Sequence, residues 1–388
     1  MNAVKDRVNG IREVAPGATP GAAAAASATG GSGDWDAGRW TAGPEVEWAA
    51  VSASVPAGAR LTIGVIARNG LPFLRACLAS LPPEGTFAGE LAIVLVDSDS
   101  SDGTTETMTA FAAARRDARV YRIEGSVNAA AARNVVLEHA PAGFLMLLDG
   151  DMVLNPAFVA AAVGRIRNGE ADAVVGALRE QHFDADNRPD GEEVWRHPPG
   201  GPALVRLAGG AILLGPPARE MALRYDEGQR ICEDWDFALR LSRRRRLLRV
   251  PDCMALHLTH HYFSPQRRLD FYRDMRPRAL GRMVRKHLGS PAGLLAVVNR
   301  ERGVFMGGAL QWLALLALAA GQPLLAVGAL ALFGADAARN LLRGKGQQWA
   351  GTRLFAPWLV LAGLLVPPRP SVRYDIRQIG GRPAPAPV

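Results

Sequence analysis

Asp149-Gly150-Asp151 follows directly on the apolar run Phe144-Leu145-Met146-Leu147-Leu148, and its two carboxylates are the groups in this chain best placed to do chemistry. A run of that length reads as a buried strand, so both side chains sit where the strand leaves the core. Two Asp residues one position apart supply the hard oxygens that Mg2+ or Mn2+ prefers, and they leave coordination positions open for substrate phosphates. The same tripeptide also makes a good turn, so its surroundings must decide. Three other stretches carry reactive types: Asp97-Ser98-Asp99-Ser100-Ser101-Asp102, Glu233-Asp234-Trp235-Asp236, and the histidines His257, His260 and His261.

Regular elements must hold these groups. Residues 61–67 and 91–96 read as buried strands, 119–123 as a short one, and 144–149 as the strand that ends on Asp149. Helical spacing of apolar residues fills the gaps at 71–81, 105–116 and 129–139. Strand and helix in alternation predict an α/β fold with a parallel sheet and right-handed crossovers. Ligands bind beyond the carboxyl ends of such strands, so the loops at 67–69, 97–102 and 149–151 are expected to share one crevice. A helix at 157–167 and strands at 173–177 and 248–250 continue the pattern. Residues 180–202 are polar and aperiodic, and read as an active-site loop or as a solvated insertion.

The chain has 388 residues and a formal charge of +8, carried almost entirely by Arg. Residues 1–57 are rich in Ala and Gly, cannot offset their ordering entropy, and are expected to stay mobile, with some local structure around Trp40 to Trp48. They lack the apolar core of a secretory signal. The positive charge clusters at Arg243-Arg244-Arg245-Arg246, at Arg267-Arg268 and between Arg273 and Lys286, just ahead of a strongly apolar stretch. No nucleic-acid module is visible, so this charge points to membrane lipids and not to nucleic acid. Cys77, Cys232 and Cys253 share no metal-ligand spacing and read as small buried hydrophobes in a reducing compartment.

In order along the chain come Thr62-Ile63-Gly64-Val65-Ile66-Ala67-Arg68-Asn69, Val96-Asp97-Ser98-Asp99, Ala129-Ala130-Ala131-Ala132-Arg133-Asn134, Asp149-Gly150-Asp151, Gly209-Gly210-Ala211-Ile212 and Tyr225-Asp226-Glu227 with Glu233-Asp234-Trp235-Asp236-Phe237. This series resembles the successive motifs of family 2 glycosyltransferases with the GT-A fold. The resemblance implies an inverting transferase that moves a sugar from a nucleotide-sugar donor to a hydroxyl of a glycan, glycolipid or polyprenyl-phosphate acceptor with the help of a divalent metal. It implies that Ala67, Asn69, Asp97, Asp99, Arg133 and Asp149 serve the donor, that Asp149, Asp151 and His260 serve the metal, that Gly209, Gly210, Glu233 and Trp235 face the acceptor, and that Asp234 is the general base. Ser98 stands where the family usually has a second Asp, which leaves Asp97 and Asp99 as alternatives for the nucleotide base. Arg133 faces the diphosphate or packs structurally. The Gln-x-x-Arg-Trp element of processive synthases is absent, which implies single transfers. The competing readings are a nucleotidyltransferase, disfavoured by the poor phosphate loop at Ala67-Arg68-Asn69-Gly70, and a degenerate transferase acting as a membrane assembly partner.

Residues 303–335 carry no charge over 33 positions, more than the ~20 that a bilayer helix needs. Gly321-Gln322-Pro323 divides the run, and a hairpin bent there keeps the basic segments on both sides in the cytoplasm. The expected organisation is a catalytic domain at 58–265 facing the cytoplasm, basic amphipathic helices at 266–302, membrane-associated helices at 303–368 and a basic Pro-rich tail at 369–388.

Overall fold

The computed structural model describes residues 44–55, 59–85, 90–196, 199–260, 276–345, 349–366 and 371–382. The Gly/Ala-rich start to residue 43, His261 and the basic residues Arg267, Arg268 and Arg273 lie outside this set.

Four strands form the parallel centre of one mixed sheet: β1 (Arg60–Ala67), β2 (Glu90–Asp97), β3 (Ala118–Gly125) and β4 (Phe144–Asp149). They are joined by the helices α2 (Phe73–Ala79), α3 (Thr104–Ala113) and α4 (Ala129–His139). Every residue of β1 from Leu61 on is buried, as expected for a strand covered on both faces. Beyond β4 the sheet continues through β9 (Ile212–Leu214), β6 (Ala173–Phe183), β10 (Leu247–His260) and β5 (Met152–Leu154), with β6 and β10 parallel to each other. Helix α5 (Pro156–Arg167) follows β5, capped by the Asn155 side chain, which accepts from Ala157 N. The short strands β7 (Val194–Trp195) and β8 (Ala203–Leu204) pair with β6 and β10.

Three expectations change. Residues 44–54 form helix α1, with Trp48 and Val51 fully buried and Trp48 Nε1 donating to Ser80 O at 3.1 Å, so the packed chain begins before residue 58. The polar stretch after Ala177 is not all loop: β6 runs to Phe183, because Glu180 and Gln181 are buried in spite of their polarity. The basic tail supplies β11 (Tyr374–Gly381), an antiparallel strand on the outer edge of β3. Its Arg and Asp residues hid it, since an edge strand needs little apolar surface.

The short helix α6 (Pro216–Arg219) follows β9, helix α7 (Glu233–Leu241) leads into β10, and the helices α8 (Arg276–Lys286) and α9 (Pro291–Arg300) pack beyond it. Helices α10 (Arg302–Ala319) and α11 (Pro323–Leu342), 18 and 20 residues long, lie against each other across a turn in which Gly321 has φ +67°. Both are long and apolar enough to cross a membrane, and Leu316, Leu324, Val327 and Leu332 are exposed on them. A π-helical turn at 350–355 and a ten-residue helix, α12 (Ala356–Leu365), complete this part.

Candidate active site

Register brings the functional loops to one line. Ala67 pairs with Asp97 and Ile66 with Asp149, so β1, β2 and β4 end together. The loop after β1 is stitched to the loop after β2. Asn69 N donates to Ser100 Oγ at 2.8 Å, Asn69 Oδ1 accepts from Ser101 N at 2.9 Å, and Leu71 N donates to Asp102 Oδ2 at 3.0 Å. Asn69 has φ +49°, a conformation Asn tolerates better than most residues. Asp97 is fully buried. Its Oδ2 accepts from Thr105 Oγ1 at 2.8 Å and lies 3.4 Å from Arg122, while its Oδ1 has no hydrogen-bond partner among the described residues. Asp99 points outward and is tied to Arg122 at 2.9 Å.

Helix α4 aims two adjacent polar residues in different directions. Arg133 is buried and bridges two carboxylates: Nη1 donates to Glu233 Oε1 and Nη2 to Asp149 Oδ1, each at 2.7 Å. Asn134 clamps the next segment, accepting from Tyr225 N at 2.7 Å and donating to Tyr225 O and to Glu227 Oε1. Of the two readings of Arg133, this geometry favours the structural one. Gly210 belongs to the same contact, for a Cβ there would collide with the Arg133 guanidinium and come within 2.7 Å of Asp149 Oδ2. Gly209 faces open space.

Asp151 has a different partner from the one expected. His257 Nε2 lies 3.2 Å from Asp151 Oδ2, and His257 Nδ1 lies 3.3 Å from the buried Glu180. Burial works against a charged ring, yet the hydrogen bonds to Asp151 and Glu180 raise the His257 pKa to about 9. His260, by contrast, sits 3.1 Å from Asn187 Oδ1 and packs on Phe73. The reason is strand geometry: His257 and His260 both lie on β10, and residues three apart on a strand point to opposite faces. Motif spacing selected His260. Had the strand been continued to residue 260, its alternation would have separated the two.

Asp234 occupies the first turn of α7, beside Glu233. Burial, then repulsion from Glu233, pushes its pKa up to about 7 against the pull of Arg133. Trp235 follows it, and the guanidinium of Arg300, from the end of α9, lies 5.8 Å from the Trp235 ring centre. Asp236 turns the other way and is buried. Against the cost of burial, a hydrogen bond from His287 Nε2 at 2.8 Å and the charges of Arg240 and Lys286 hold it at about 2. Neither Arg300 nor the Lys286-His287 pair carries a motif that sequence reading could have found.

One cavity of about 850 Å3 collects these groups. Ala67, Asn69, Arg133, Asp149, Asp151 and both histidines line it together with Gly209, Gly210, Glu233, Asp234 and Trp235. Asp97 and Asp99 lie outside the lining. Residues 62–223 match the family model described as Glycosyl transferase family 2. This segment is a family 2 glycosyltransferase domain. The match ends ahead of Asp234 and His257, which the fold brings to the same cavity. Among solved structures the chain is similar to S. aureus TarS 1–349, at 16% identity and a TM-score of 0.43 over 60% of this chain and 72% of that one. It is also similar to the same protein in complex with UDP-GlcNAc, at 18% identity and a TM-score of 0.43 over 60% and 73%. No curated protein matches the chain.

Proposed function

We propose that this glycosyltransferase is an inverting, metal-assisted enzyme that transfers one sugar at a time from a nucleotide-sugar donor to an acceptor at the cytoplasmic face of a membrane. The observation that carries the reading is that one cavity is lined both by the Asp151–His257 pair and by Asp234, a carboxylate of raised pKa.

The donor side is supported by fit. Asp151 Oδ1 is buried and has no hydrogen-bond partner among the described residues, while Asp151 Oδ2 and His257 Nε2 converge. Glu180 on Nδ1 fixes the ring, as a carboxylate behind a metal-ligating histidine does. The negative charge of Asp151 and Glu180 that favours a proton on His257 also favours a cation between Asp151 and Nε2 in place of that proton. Among the described residues no group of three such side chains could hold a metal ion, so an ion at Asp151 would need its remaining ligands from substrate phosphates. When bound, the ion supplies positive charge to the departing diphosphate. Asp149 is committed to Arg133 and serves as a wall of the cavity. Asp97, buried with one oxygen unpaired, is the better of the two candidates for the nucleotide base.

On the acceptor side Asp234 takes the hydroxyl proton. A base with a pKa near 7 is half ionised at neutral pH and strong enough to accept that proton. Arg133, fixed between Asp149 and Glu233, holds the two walls in register. Inversion follows if the acceptor oxygen enters from the Asp234 wall while the diphosphate leaves toward Asp151.

The membrane placement rests on β11. It pairs with β3 over Tyr374 to Gly381, and every apolar helix lies between β10 and β11 in the chain. Two strands of one sheet share one side of a bilayer, so the chain crosses an even number of times. Helix α12 together with the π-helical turn ahead of it forms one apolar helix, Ala350–Leu365, that reaches about 24 Å at most and is shorter than the ~20 residues of a usual span. Helices α10 and α11 at 18 and 20 residues reach about 27 and 30 Å, which suits a hairpin. Hydrolysis or transfer assays on UDP-, GDP- and dTDP-sugars with Mn2+ test the reading, and turnover of none of them overturns it.

A further inference from the structure

The sheet ends on β11, and no further strand lies beyond it among the described residues. The opposite end of the sheet is closed, since β5 has three residues, all buried, and leads into the capped helix α5. Strand β11 is eight residues long, and Asp375, Ile376, Arg377 and Gln378 are exposed one after another. Successive residues take opposite faces of a sheet, so over this stretch neither face is covered. The strand has no Lys and no Pro, two residues that commonly guard an edge, and its bulge comes only after Gln378. Its outer N–H and C=O groups form a row against which another strand can pair.

Charge along the strand selects the partner. Asp375 stands directly opposite Glu124 of β3, a like-charge pair that costs stability, and Asp375 has no ion pair of its own among the described residues. Arg377, two positions on and therefore on the same face, reaches Glu124 at 3.6 Å with a side chain that is 68% exposed. An acid without a cation is thus followed by a cation that stands mostly in water. A second copy running antiparallel about a two-fold axis normal to the sheet has to be centred on a residue, because facing residues share a face and chain neighbours do not. Centred on Ile376, residues 374–378 of each copy face one another, Asp375 meets the other copy's Arg377 twice, and Ile376 meets its own image. An axis at Asp375 or at Arg377 sets a charge against itself. An axis at Tyr374 pairs Arg373 with Asp375 but leaves most of the strand outside the ladder.

We propose that β11 is a dimerisation edge: two copies of this chain join through antiparallel β11 strands about a two-fold axis at Ile376, which makes one sheet continuous through both domains. A foreign strand would gain nothing from the order Asp375-Ile376-Arg377, whereas a second copy uses both charges. The seam is short, so copies held in one bilayer, where effective concentration is high, are the ones that pair. Pairing also braces the strand whose Tyr374 Oη donates to Glu227.

The test is disulfide cross-linking of the full chain in membranes with copper phenanthroline, with the unsubstituted chain and its Cys77, Cys232 and Cys253 as the baseline. Facing residues of an antiparallel pair have Cα atoms about 4.5–5.5 Å apart, which a disulfide can bridge. Asp375 and Arg377 each lie about 8 Å from their own images, which it cannot. Ile376→Cys should therefore give a cross-linked dimer at least ~10-fold above Asp375→Cys and Arg377→Cys. Adding Asp375→Arg to the Ile376→Cys chain should remove the dimer, and so should adding Arg377→Asp. Mixing those two chains should restore it, because opposite charges then face each other at both positions. No dimer through position 376, a dimer formed more readily through 375 or 377, or no recovery in the mixture would each overturn the proposal.

Discussion

The raised pKa of Asp234 makes a prediction with two opposite signs, one for activity and one for stability. Only ionised Asp234 can take a proton, so with a pKa of about 7 half of the enzyme is competent at pH 7 and about one part in eleven at pH 6. The kcat/KM for transfer should therefore fall about fivefold between those values, with unit slope below pH 6. An ordinary aspartate would show no such limb above pH 5. Stability runs the other way. The folded state holds this proton more tightly than the unfolded chain, so the contribution is fully present below pH ~4 and is lost as pH rises through 7. A rise from 3.8 to about 7 corresponds to at most about 4 kcal/mol. Asp234 is partly exposed on the cavity wall, and solvent screening lowers this to about 1–3 kcal/mol. Asp234→Asn should thus abolish transfer and be more resistant to denaturant than the parent at pH 8, with the advantage gone at pH 4. Glu233→Gln should move the kinetic limb toward acid, because it removes a repulsion and releases Arg133 to favour the ionised form. A flat profile between pH 5 and 8, or an Asn variant less stable than the parent at pH 8, would refute the reasoning.

Other outcomes follow from individual contacts. Asp151→Asn should lower turnover by at least ~100-fold, the order seen when a main electrostatic stabiliser is lost, and full activity in excess EDTA would exclude the metal. Gly210→Ala drives a methyl into the Arg133–Asp149 pair and should cost ~100-fold in kcat with an unchanged circular dichroism spectrum, whereas parental kcat would show that the pair has room to move. Trp48→Ala removes a fully buried ring and a hydrogen bond, so urea unfolding should show a loss of about 3–5 kcal/mol; a loss under ~1 kcal/mol would mean that α1 does not belong to the core. A single cysteine placed at Lys345 should resist an impermeant reagent added to intact cells, and labelling from outside would rule out the hairpin.

Much of the sheet was legible because its parallel centre is buried on both faces and its strands read as unbroken apolar runs, as in Val94-Leu95-Val96. The common line on which β1, β2 and β4 end was legible as well, since parallel strands fix where their loops go. What was hidden obeys other rules. Glu180 is polar and buried because a histidine answers it, and no local pattern reports that partner, 77 residues away. His260 was favoured over His257 because motif spacing ignores which face of a strand a residue takes. Strand β11 has two charged residues among its eight and gains its place from the open edge of β3.

The C-terminal helices are packed into the unit that bears the cavity and are not merely appended to it. Asp236, one turn into the helix that carries Asp234, is buried beside Lys286 and His287 at the end of α8. A buried carboxylate stripped of those two partners would keep only Arg240, and breaking such a network costs far more than forming it gains. From the other side of the chain, Tyr374 Oη donates to Glu227 Oε1 at 2.9 Å, the atom that also accepts from Asn134. Asn134 is the neighbour of Arg133, and Arg133 holds Asp149 and Glu233. The segment before the hairpin thus holds α7, the segment after it holds α4 through Glu227, and both helices contribute to the cavity lining. The hairpin is therefore tied at both of its ends to elements that line the cavity, and a change in how it is seated would be felt at Glu233 and Arg133.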